Sequence, residues 1–503
     1  MDGGVSMRSN RWLSPIVGAL FLMSAVTWGF CSGSAASAVS ENGKIPITTS
    51  SEEAKKEFLL GRDVFEKLLA QESLNHFDKA IALDPNFASA ELARANSAPT
   101  AKDFFEHLKK AVSLADKVSE GEKLLILANQ AGANGRPAEQ KQYLDKLVAA
   151  YPEDERVQFN LGGYYFGLQD YDNAVAHYKK ATEISPNYSP AYNLLGYAYR
   201  QQEDYSSAED AFKKYVELIP GDPNPYDSYA ELLLKMGRFD ESIAQYRKAL
   251  SIDPHFNASH FGISADLMYQ GKADAAAGEL QTMADQARND GERRTAYFGM
   301  AVLSADAGNL EKALQAMDKQ YAIAEKKNDS AAMAADLQAK GNILSEMQRY
   351  DAAAQQYDRS LQIVQASGLS QQIKDNAKLQ RLFNAATLAL ARKDTAAAKK
   401  NAEEFRQGAE AQQNPAQLRQ AHELEGRIAF AEKDYDKATA ELDQANQQDP
   451  RNLYRLSQAY QAKGDSAKAQ EYAKKIADFN SLPQLNYAFI RSKVQKELSA
   501  KKL

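Results

Sequence analysis

The sequence is short of the residues that most often carry chemistry or brace a fold covalently. One cysteine and two tryptophans occur among its 503 residues, and all three lie near the start, at Trp12, Trp28 and Cys31. A single cysteine cannot form an intrachain disulfide, so the fold depends on packing alone. A chain of this length with 44% hydrophobic residues has ample apolar content for that.

Histidines are few and scattered, which argues against a metal centre. The nearest pair among the six, His255 and His260, is five residues apart and does not share one helix face, as an i,i+4 pair would. The chain has no glycine loop of the phosphate-binding kind and nothing that resembles a nucleophile elbow. The sequence therefore predicts no enzyme activity, no bound metal and no cofactor.

An excess of charge of one sign is missing as well. The formal net charge of −6 is mild for 61 basic and 67 acidic residues, and no basic stripe runs along the chain. Nucleic acid is therefore not expected among the partners. Sustained alternation of apolar and polar residues is also lacking, while Ala, Gln, Lys, Glu and Leu dominate. That composition predicts an all-α protein.

What the chain does have is a period of 34 residues. Its clearest mark is a set of evenly spaced prolines, namely Pro152, Pro186, Pro220 and Pro254. Equivalent slots between them hold Leu161-Gly162 with Tyr165, Leu195-Gly196 with Tyr199, and Tyr229-Ala230 with Leu233. The second half of each interval holds Ala174, Tyr178 and Ala181, then Ala208, Phe212 and Tyr215, then Ser242, Tyr246 and Ala249. Such a period indicates a stack of similar supersecondary units.

This pattern resembles the tetratricopeptide repeat, in which Leu-Gly and Tyr are followed by Ala, an aromatic residue, Ala and a closing Pro. The resemblance implies an all-α, right-handed superhelical solenoid of antiparallel helix pairs. The residues agree on physical grounds, because a small residue such as Gly196 lets two helices approach closely and a closing proline ends the second helix. Asp170-Tyr171 and Asp204-Tyr205 mark the turns within a pair. Neighbouring units must stack, since one unit cannot bury its apolar stripe alone.

The repeats extend over most of the chain, strictly over residues 54–288 and more loosely over residues 289–483. Pro85 and Pro152 lie 67 residues apart, which leaves room for one degenerate unit at about 88–121. Later turns between helices are expected at Gly271, Gly308, Gln348, Lys393, Lys433 and Gly464, at spacings that imply longer helices. The array then comprises about eleven units.

The end of the chain and the division of the array are less regular. Residues 484–503 are expected to form a last helix whose Lys-rich face caps the stack. A boundary is expected at residues 288–294, where the strict period ends. A single irregular superhelix without a boundary is the alternative.

Residues 1–38 are a different kind of sequence and match a secretory signal peptide. Arginines precede the apolar run, and Ala36-Ser37-Ala38 offers small residues for cleavage after Ala38. Residues 39–53 would then form a flexible linker. The alternative is an uncleaved inner-membrane anchor over residues 15–31. Lipid attachment at Cys31 is disfavoured by the bulky Phe30 before it.

The resemblance also nominates a binding surface, since in this family the first helix of each unit lines a concave groove. The corresponding slots hold Phe159, Phe166, Asn193, Tyr197, Arg200, Asp227, Glu231, Phe261 and Met268. Exposure is expected for Tyr197, Arg200 and Glu231, while the three phenylalanines either anchor a partner or pack between repeats. Asp227 and Glu231 would repel a carboxylate, so a clamp for acidic tails is not expected.

The sequence thus predicts a non-catalytic scaffold that binds other proteins or peptide segments in a concave groove. A role as a periplasmic or envelope assembly factor follows from the signal-like N-terminus. A membrane-anchored or cytoplasmic adaptor in signalling is the alternative, and an accessory subunit of an enzyme is a further one. Contact with a membrane is expected only if the N-terminal segment stays uncleaved.

Overall fold

A computed structural model describes residues 43–500 of the chain, and all regular structure in that range is helical. Twenty-five α-helices occur there, with one 3₁₀ turn at Ala115–Lys117. In chain order they are α1 (Glu52–Glu66), α2 (Ala70–Leu83), α3 (Ala88–Asn96), α4 (Ala101–Leu114), α5 (Glu120–Ala133), α6 (Pro137–Ala150), α7 (Glu155–Leu168), α8 (Tyr171–Ile184), α9 (Ser189–Gln201), α10 (Tyr205–Leu218), α11 (Asn224–Lys235), α12 (Phe239–Ile252), α13 (Asn257–Tyr269), α14 (Ala273–Asp285), α15 (Asp290–Asp306), α16 (Leu310–Lys326), α17 (Ser330–Glu346), α18 (Tyr350–Ala366), α19 (Gln371–Ala391), α20 (Thr395–Gln412), α21 (Pro415–Ala431), α22 (Tyr435–Gln444), α23 (Pro450–Lys463), α24 (Ser466–Ala477) and α25 (Leu485–Ala500).

Consecutive helices pack in pairs, for example α1 with α2, α7 with α8 and α17 with α18. We number these pairs as repeats 1 to 12, from α1 and α2 to α23 and α24, and α25 follows them. The degenerate unit expected at 88–121 is the pair of α3 and α4. The predicted fold of stacked antiparallel helix pairs is confirmed. Twelve pairs within residues 43–500 replace the expected eleven or so.

The chain divides into two compact units, with the division between Ser228 and Tyr229, inside α11. Among the described residues, the N-terminal unit holds 43–228 with 368–375, and the C-terminal unit holds 229–367 with 376–500. The boundary expected at residues 288–294, where the strict period ends, does not coincide with this division and stays a prediction. Asn289 caps α15 there, and α15 packs directly on α14, so the stack continues through this point.

Close packing within each pair follows the small-residue slot that the sequence indicates. A Cβ atom on Gly196 would lie 2.8 Å from the ring of Phe212, and one on Gly162 would lie 2.6 Å from the ring of Tyr178. Both rings are fully buried. The second helices α6, α8, α10 and α12 each end two residues before a closing proline. These observations confirm the roles predicted for the glycines and the prolines.

The looser repeats keep the same turn. All six residues expected at turns between helices have a positive φ, and a new helix begins two residues after each, namely after Gly271, Gly308, Gln348, Lys393, Lys433 and Gly464. The helices there are longer, as predicted: α15 to α18 have 17 residues each, against 14 in α7 and α8. The longer period therefore comes from the helices and not from the turns.

The predicted signal peptide at 1–38 and the alternative anchor at 15–31 lie outside the described residues. None of the helices within residues 43–500 combines the length and apolar character needed to cross a bilayer.

Candidate functional site

Residues 43–51, which we call the strap, run without regular secondary structure along the start of the N-terminal unit. Their main chain donates hydrogen bonds to carboxylates of three repeats: Ile45 N to Asp154 Oδ2 at 2.9 Å, Thr48 N to Glu122 Oε1 at 3.0 Å, and Ser50 N to Asp84 Oδ2 at 2.9 Å. Over its described part, the strap therefore differs from the free linker expected at 39–53. These three N–H groups have no acceptor within the strap itself, and carboxylates of the repeats accept their hydrogen bonds.

The side chains of the strap are held as well. Ile45 packs against the apolar cluster of repeats 3 and 4, and Ile47 packs against the cluster around Phe58 and Phe87. The ammonium of Lys44 donates to the carbonyl of Glu153 at 2.7 Å and pairs with the carboxylate of Glu155. The strap is therefore bound at one end by charge and along its length by two isoleucines.

Helix ends place the three carboxylates that accept these bonds. Asp154 is the N-cap of α7, where its other oxygen accepts from the N–H of Arg156. Glu122 belongs to a capping box with Ser119 at the start of α5. Asp84 ends α2 and accepts from the N–H of Asn86. The three acceptors therefore belong to repeats 4, 3 and 1, in the order in which the strap reaches them.

The strap also favours the charged form of two carboxylates that it contacts, Asp84 and Glu155. Burial opposes ionisation of Asp84, but hydrogen bonds from Thr49, Ser50 and Asn86 outweigh it and lower the pKa of the carboxyl. Burial likewise opposes ionisation of Glu155, and the hydrogen bond from Lys44 lowers its pKa. Both groups are therefore anions at neutral pH, and the strap meets a negatively charged edge.

Within the same unit, Arg156 of α7 reaches Glu66 of α1. The two side chains form a forked ion pair, with Nε to Oε1 at 2.6 Å and Nη2 to Oε2 at 2.9 Å. The guanidinium also stacks over the ring of Tyr188 at 5.3 Å. Burial opposes the charge of Arg156, yet Glu66 raises its pKa. First helices of repeats 1 and 4 therefore meet here, although 90 residues separate them.

The nominated residues of the N-terminal unit mostly pack inside the repeats. Tyr197 is 2% and Arg200 6% exposed, so the expected exposure of these two residues is wrong. The ring of Tyr197 stands edge-on to Phe212 at 5.2 Å, and the guanidinium of Arg200 lies over the Tyr197 ring at 4.6 Å. This slot faces the second helix of its own repeat, which explains the burial. Asn193, in the same helix, is also buried.

Two phenylalanines in the first helix of repeat 4 differ in burial. Phe166 is 5% exposed and stands edge-on to Tyr171 at 5.3 Å. Phe159 is half-buried between the rings of Tyr178 and Tyr188, at 5.8 and 5.6 Å. Packing within repeat 4 therefore accounts for Phe166, while Phe159 keeps an exposed edge.

The remaining nominated residues lie around α11 and α13. Asp227, Glu231 and Met268 are buried, at 0%, 2% and 5% exposure, so the exposure expected for Glu231 is wrong. Phe261 is half-buried and packs on the cluster of Met283. Contact of any of the nine residues with a partner stays a prediction.

The last helix, α25, contacts more of the C-terminal unit than the end of the stack. α25 packs against α15 of repeat 8 and against both helices of repeat 12. Tyr487, Phe489 and Ile490 join the same apolar cluster as Ala301 of α15. The helix therefore packs on the last pair and also on α15, and its role as a cap stays a prediction.

An arginine cluster in the last repeats was missed by sequence reasoning. Glu423 of α21 accepts from Arg427 at 3.3 Å and from Arg455 of α23 at 2.7 Å. Burial, together with the charge of Arg455, lowers the pKa of Arg427 to about 9. The i,i+4 spacing of Glu423 and Arg427 is visible in the sequence. Arg455 belongs to the next repeat, where the loose period hides the alignment.

The described residues offer little for catalysis. Between residues 43 and 500, no three His, Cys, Asp or Glu side chains come together as a metal site. His260, one of the two histidines considered from the sequence, has its Nδ1 2.7 Å from a carboxylate oxygen of Glu279. What the arrangement can do chemically is bind polypeptide, through carboxylate acceptors and apolar sockets.

Family profiles described as tetratricopeptide repeat match residues 153–220, 224–256 and 450–481. The chain is 28% identical over 126 residues to the Hsp70-Hsp90 organizing protein 3 of Arabidopsis thaliana, covering 25% of this chain and 22% of that protein. It is 26% identical over 182 residues to the BBSome complex member BBS4 of Bos taurus, covering 35% and 34%. The chain thus spans about a third or less of the length of these relatives.

Among solved structures, the chain is similar to a tetratricopeptide repeat protein from Parabacteroides merdae. The match has a TM-score of 0.36 and 14% identity, and it covers 57% of this chain and 100% of that one.

Proposed function

Since the chain is a tetratricopeptide repeat protein, we propose that it is a non-catalytic scaffold that binds segments of other proteins. Proteins of this family generally mediate protein–protein interactions. One observation carries the proposal for this chain: the N-terminal unit holds a stretch of polypeptide, the strap, through main-chain hydrogen bonds to Asp84, Glu122 and Asp154. A surface that binds the main chain of one segment has the chemistry to bind another.

We further propose that the scaffold works in a bacterial envelope or periplasm. The support is the order of arginines, apolar run and small residues over 1–38. A protein cleaved after Ala38 would begin at Val39, so N-terminal sequencing of the native protein tests the location. An intact N-terminus would favour the anchored form over residues 15–31 or a cytoplasmic adaptor.

The binding function is tested by photo-crosslinking in the native cell. A photoreactive phenylalanine analogue replaces the half-buried Phe159 or Phe261, which keep an exposed edge among the nominated residues. Lys213 on α10, whose side chain is 58% exposed, carries the same analogue as a control. We expect a discrete crosslinked protein at Phe159 or Phe261 and none at Lys213. Equal background crosslinking at all three positions would contradict the proposal.

A further inference from the structure

The strap contacts the repeats in the way that a bound peptide would, and it does not form part of their hydrophobic core. The buried members of the two apolar clusters that it contacts all come from the repeats, and Ile45 and Ile47 are only partly buried at their margins. The main-chain N–H groups of Ile45, Thr48 and Ser50 all donate to the repeats. The helix pairs therefore carry a complete core that the strap covers.

Charge gives the strap its direction. Lys44 lies at the α7 end, where the carboxylate of Glu155 and the carbonyl of Glu153 receive its ammonium. Asp154, Glu122 and Asp84 then follow in the order of the strap residues that they bind. A segment without a cation at this end would leave the buried Glu155 with Arg156 as its remaining cation, at a cost in affinity.

Side-chain identity adds a second filter. Ile45 and Ile47 flank Pro46, which has no N–H to satisfy and favours an extended backbone. Thr48 and Thr49 donate their hydroxyls to Glu122 and Asp84. The site therefore selects a cation, then two branched apolar residues around a proline, then hydroxyl residues.

We propose that this edge of the N-terminal unit is a peptide-binding site whose resident occupant is the strap, and that an extended partner segment with the chemistry Lys-apolar-Pro-apolar-Thr-Thr takes its place. The inference rests on the proposed function and names its site and the class of partner segment. A tethered segment competes at an effective concentration of about millimolar, so the strap holds the site against weak ligands and yields to tight or abundant ones. The strap thus sets a minimum affinity or concentration that a partner segment needs in order to bind.

The test uses a fluorescent synthetic peptide of residues 43–51 and the full chain in two forms. In one form the native strap is intact, and in the other Ile45→Asp with Ile47→Asp removes the two apolar anchors. Fluorescence anisotropy should show binding to the released form at least about tenfold tighter than to the native chain. A peptide that binds neither form, or both forms equally, would overturn the proposal.

A matched pair of variants locates the binding. Asp154→Ser in the released chain keeps an N-cap for α7 but removes the acceptor of Ile45 N, whereas Asp204→Ser changes the N-cap of α10, away from the strap. Peptide affinity should fall several-fold in the first and stay unchanged in the second. Equal peptide affinities of the Asp154→Ser and Asp204→Ser variants would show that the peptide binds elsewhere and would contradict the assignment of the site.

Hydrogen exchange on the unmodified protein keeps the proposal testable even if the released chain folds poorly. The amides of Ile45, Thr48 and Ser50 should exchange at least about tenfold faster than amides in the middle of α7, because an exchangeable strap opens without unfolding the helices. Equally slow exchange would make the strap a permanent part of the fold and refute the proposal. In that case partner crosslinking at Phe159 or Phe261 would still support the scaffold function by itself.

Discussion

Arg294 and Asp336 form a forked ion pair between the first helices of repeats 8 and 9, with guanidinium nitrogens 2.7 and 3.0 Å from the two carboxylate oxygens. The residues are 5% and 1% exposed. Gln320 completes the network, because its side-chain amide donates to Asp336 at 2.7 Å and its main-chain carbonyl accepts from Arg294. A pair this deeply buried is tolerable only while both charges are present.

Asp336→Ala should therefore lower the free energy of unfolding by about 3–5 kcal/mol, because it leaves the Arg294 charge buried and unpaired. The double variant Arg294→Met with Asp336→Leu should recover most of that loss. Urea denaturation followed by circular dichroism measures both. Asp145→Ala serves as control, since its ion pair with Lys141 is solvent-exposed and contributes less than about 1 kcal/mol. A loss for Asp336→Ala no larger than this control would contradict the prediction.

Adjacent glycines in α7 should respond in opposite ways to the same change. A Cβ on Gly162 would meet the buried Tyr178 ring at 2.6 Å, whereas a Cβ on Gly163 finds only the Tyr178 hydroxyl, at 3.9 Å. Gly162→Ala should destabilise by about 1–3 kcal/mol through overpacking. Gly163→Ala should stabilise by up to about 1 kcal/mol, because alanine is the better helix former. Thermal melts of the two variants test this prediction. Equal shifts in melting temperature would rule out a close-packing role for Gly162.

Asp266 in α13 should make the C-terminal unit sensitive to pH. The residue is fully buried, neither of its carboxylate oxygens accepts a hydrogen bond, and the hydroxyl of Ser242 donates instead to the Ala230 carbonyl. Burial, helped by the charge of Asp240, raises the pKa of Asp266 from 3.8 to about 8. The folded carboxyl then keeps its proton over a range in which the unfolded one has lost it.

The sign of the effect follows from this difference. Because the folded state binds the extra proton, the contribution of Asp266 to stability is greatest at low pH and falls as the pH rises from about 4 to about 8. Asp266→Asn should flatten this slope and raise the free energy of unfolding at pH 8 by more than about 1 kcal/mol. Urea denaturation of the wild type and of Asp266→Asn at several pH values tests this expectation. Parallel pH profiles for wild type and Asp266→Asn would exclude the residue as the cause.

The fold could be predicted from the sequence because its contacts are local. Gly196 and Phe212 are 16 residues apart within one repeat, so the periodic pattern already contains their contact. The same holds for the turn at Gly308, whose positive φ and following helix recur at all six turns expected between residues 271 and 464. Where the period was loose, the turn chemistry still marked the repeats correctly.

The candidate site could not be predicted in the same way, since it depends on contacts between repeats that are not neighbours. Arg156 and Glu66 are 90 residues apart, and Ile45 and Asp154 are 109 apart. Such contacts follow from the curvature of the stack, which small differences in packing between repeats decide. The family pattern also assigned Tyr197 to the groove, whereas its ring packs on the second helix of its own repeat.

Tyr197 therefore now carries a prediction about stability. Tyr197→Ala should destabilise by about 3–5 kcal/mol, because it removes a buried ring from its edge-on contact with Phe212. Tyr199, in the same helix but only half-buried, provides the matched control, and Tyr199→Ala should lose clearly less. Chemical denaturation of the two variants makes the comparison. A stable Tyr197→Ala protein with weakened partner binding would restore the exposed-groove interpretation.

The position of α25 gives the last prediction, because an ion pair between Arg491 and Asp306 joins it to repeat 8. Arg491 Nε lies 2.6 Å from Asp306 Oδ1, with side-chain exposures of 13% and 7%. Arg491→Ala leaves the Asp306 carboxylate buried beside an apolar helix and should loosen α25 from α15. Amides of α25 should then exchange hydrogen at least about tenfold faster, while those of α7 in the other unit stay unchanged.

Lys493 is the control on the same helix, since its side chain is 53% exposed and its ammonium lies 3.3 Å from Glu346. Lys493→Ala removes a solvated pair and should leave the exchange of α25 within about twofold of wild type. If both variants accelerate exchange alike, α25 is held by charge in general and not by the buried pair. If neither does, the apolar contacts of Tyr487, Phe489 and Ile490 hold the helix by themselves, and the Arg491–Asp306 pair contributes only orientation.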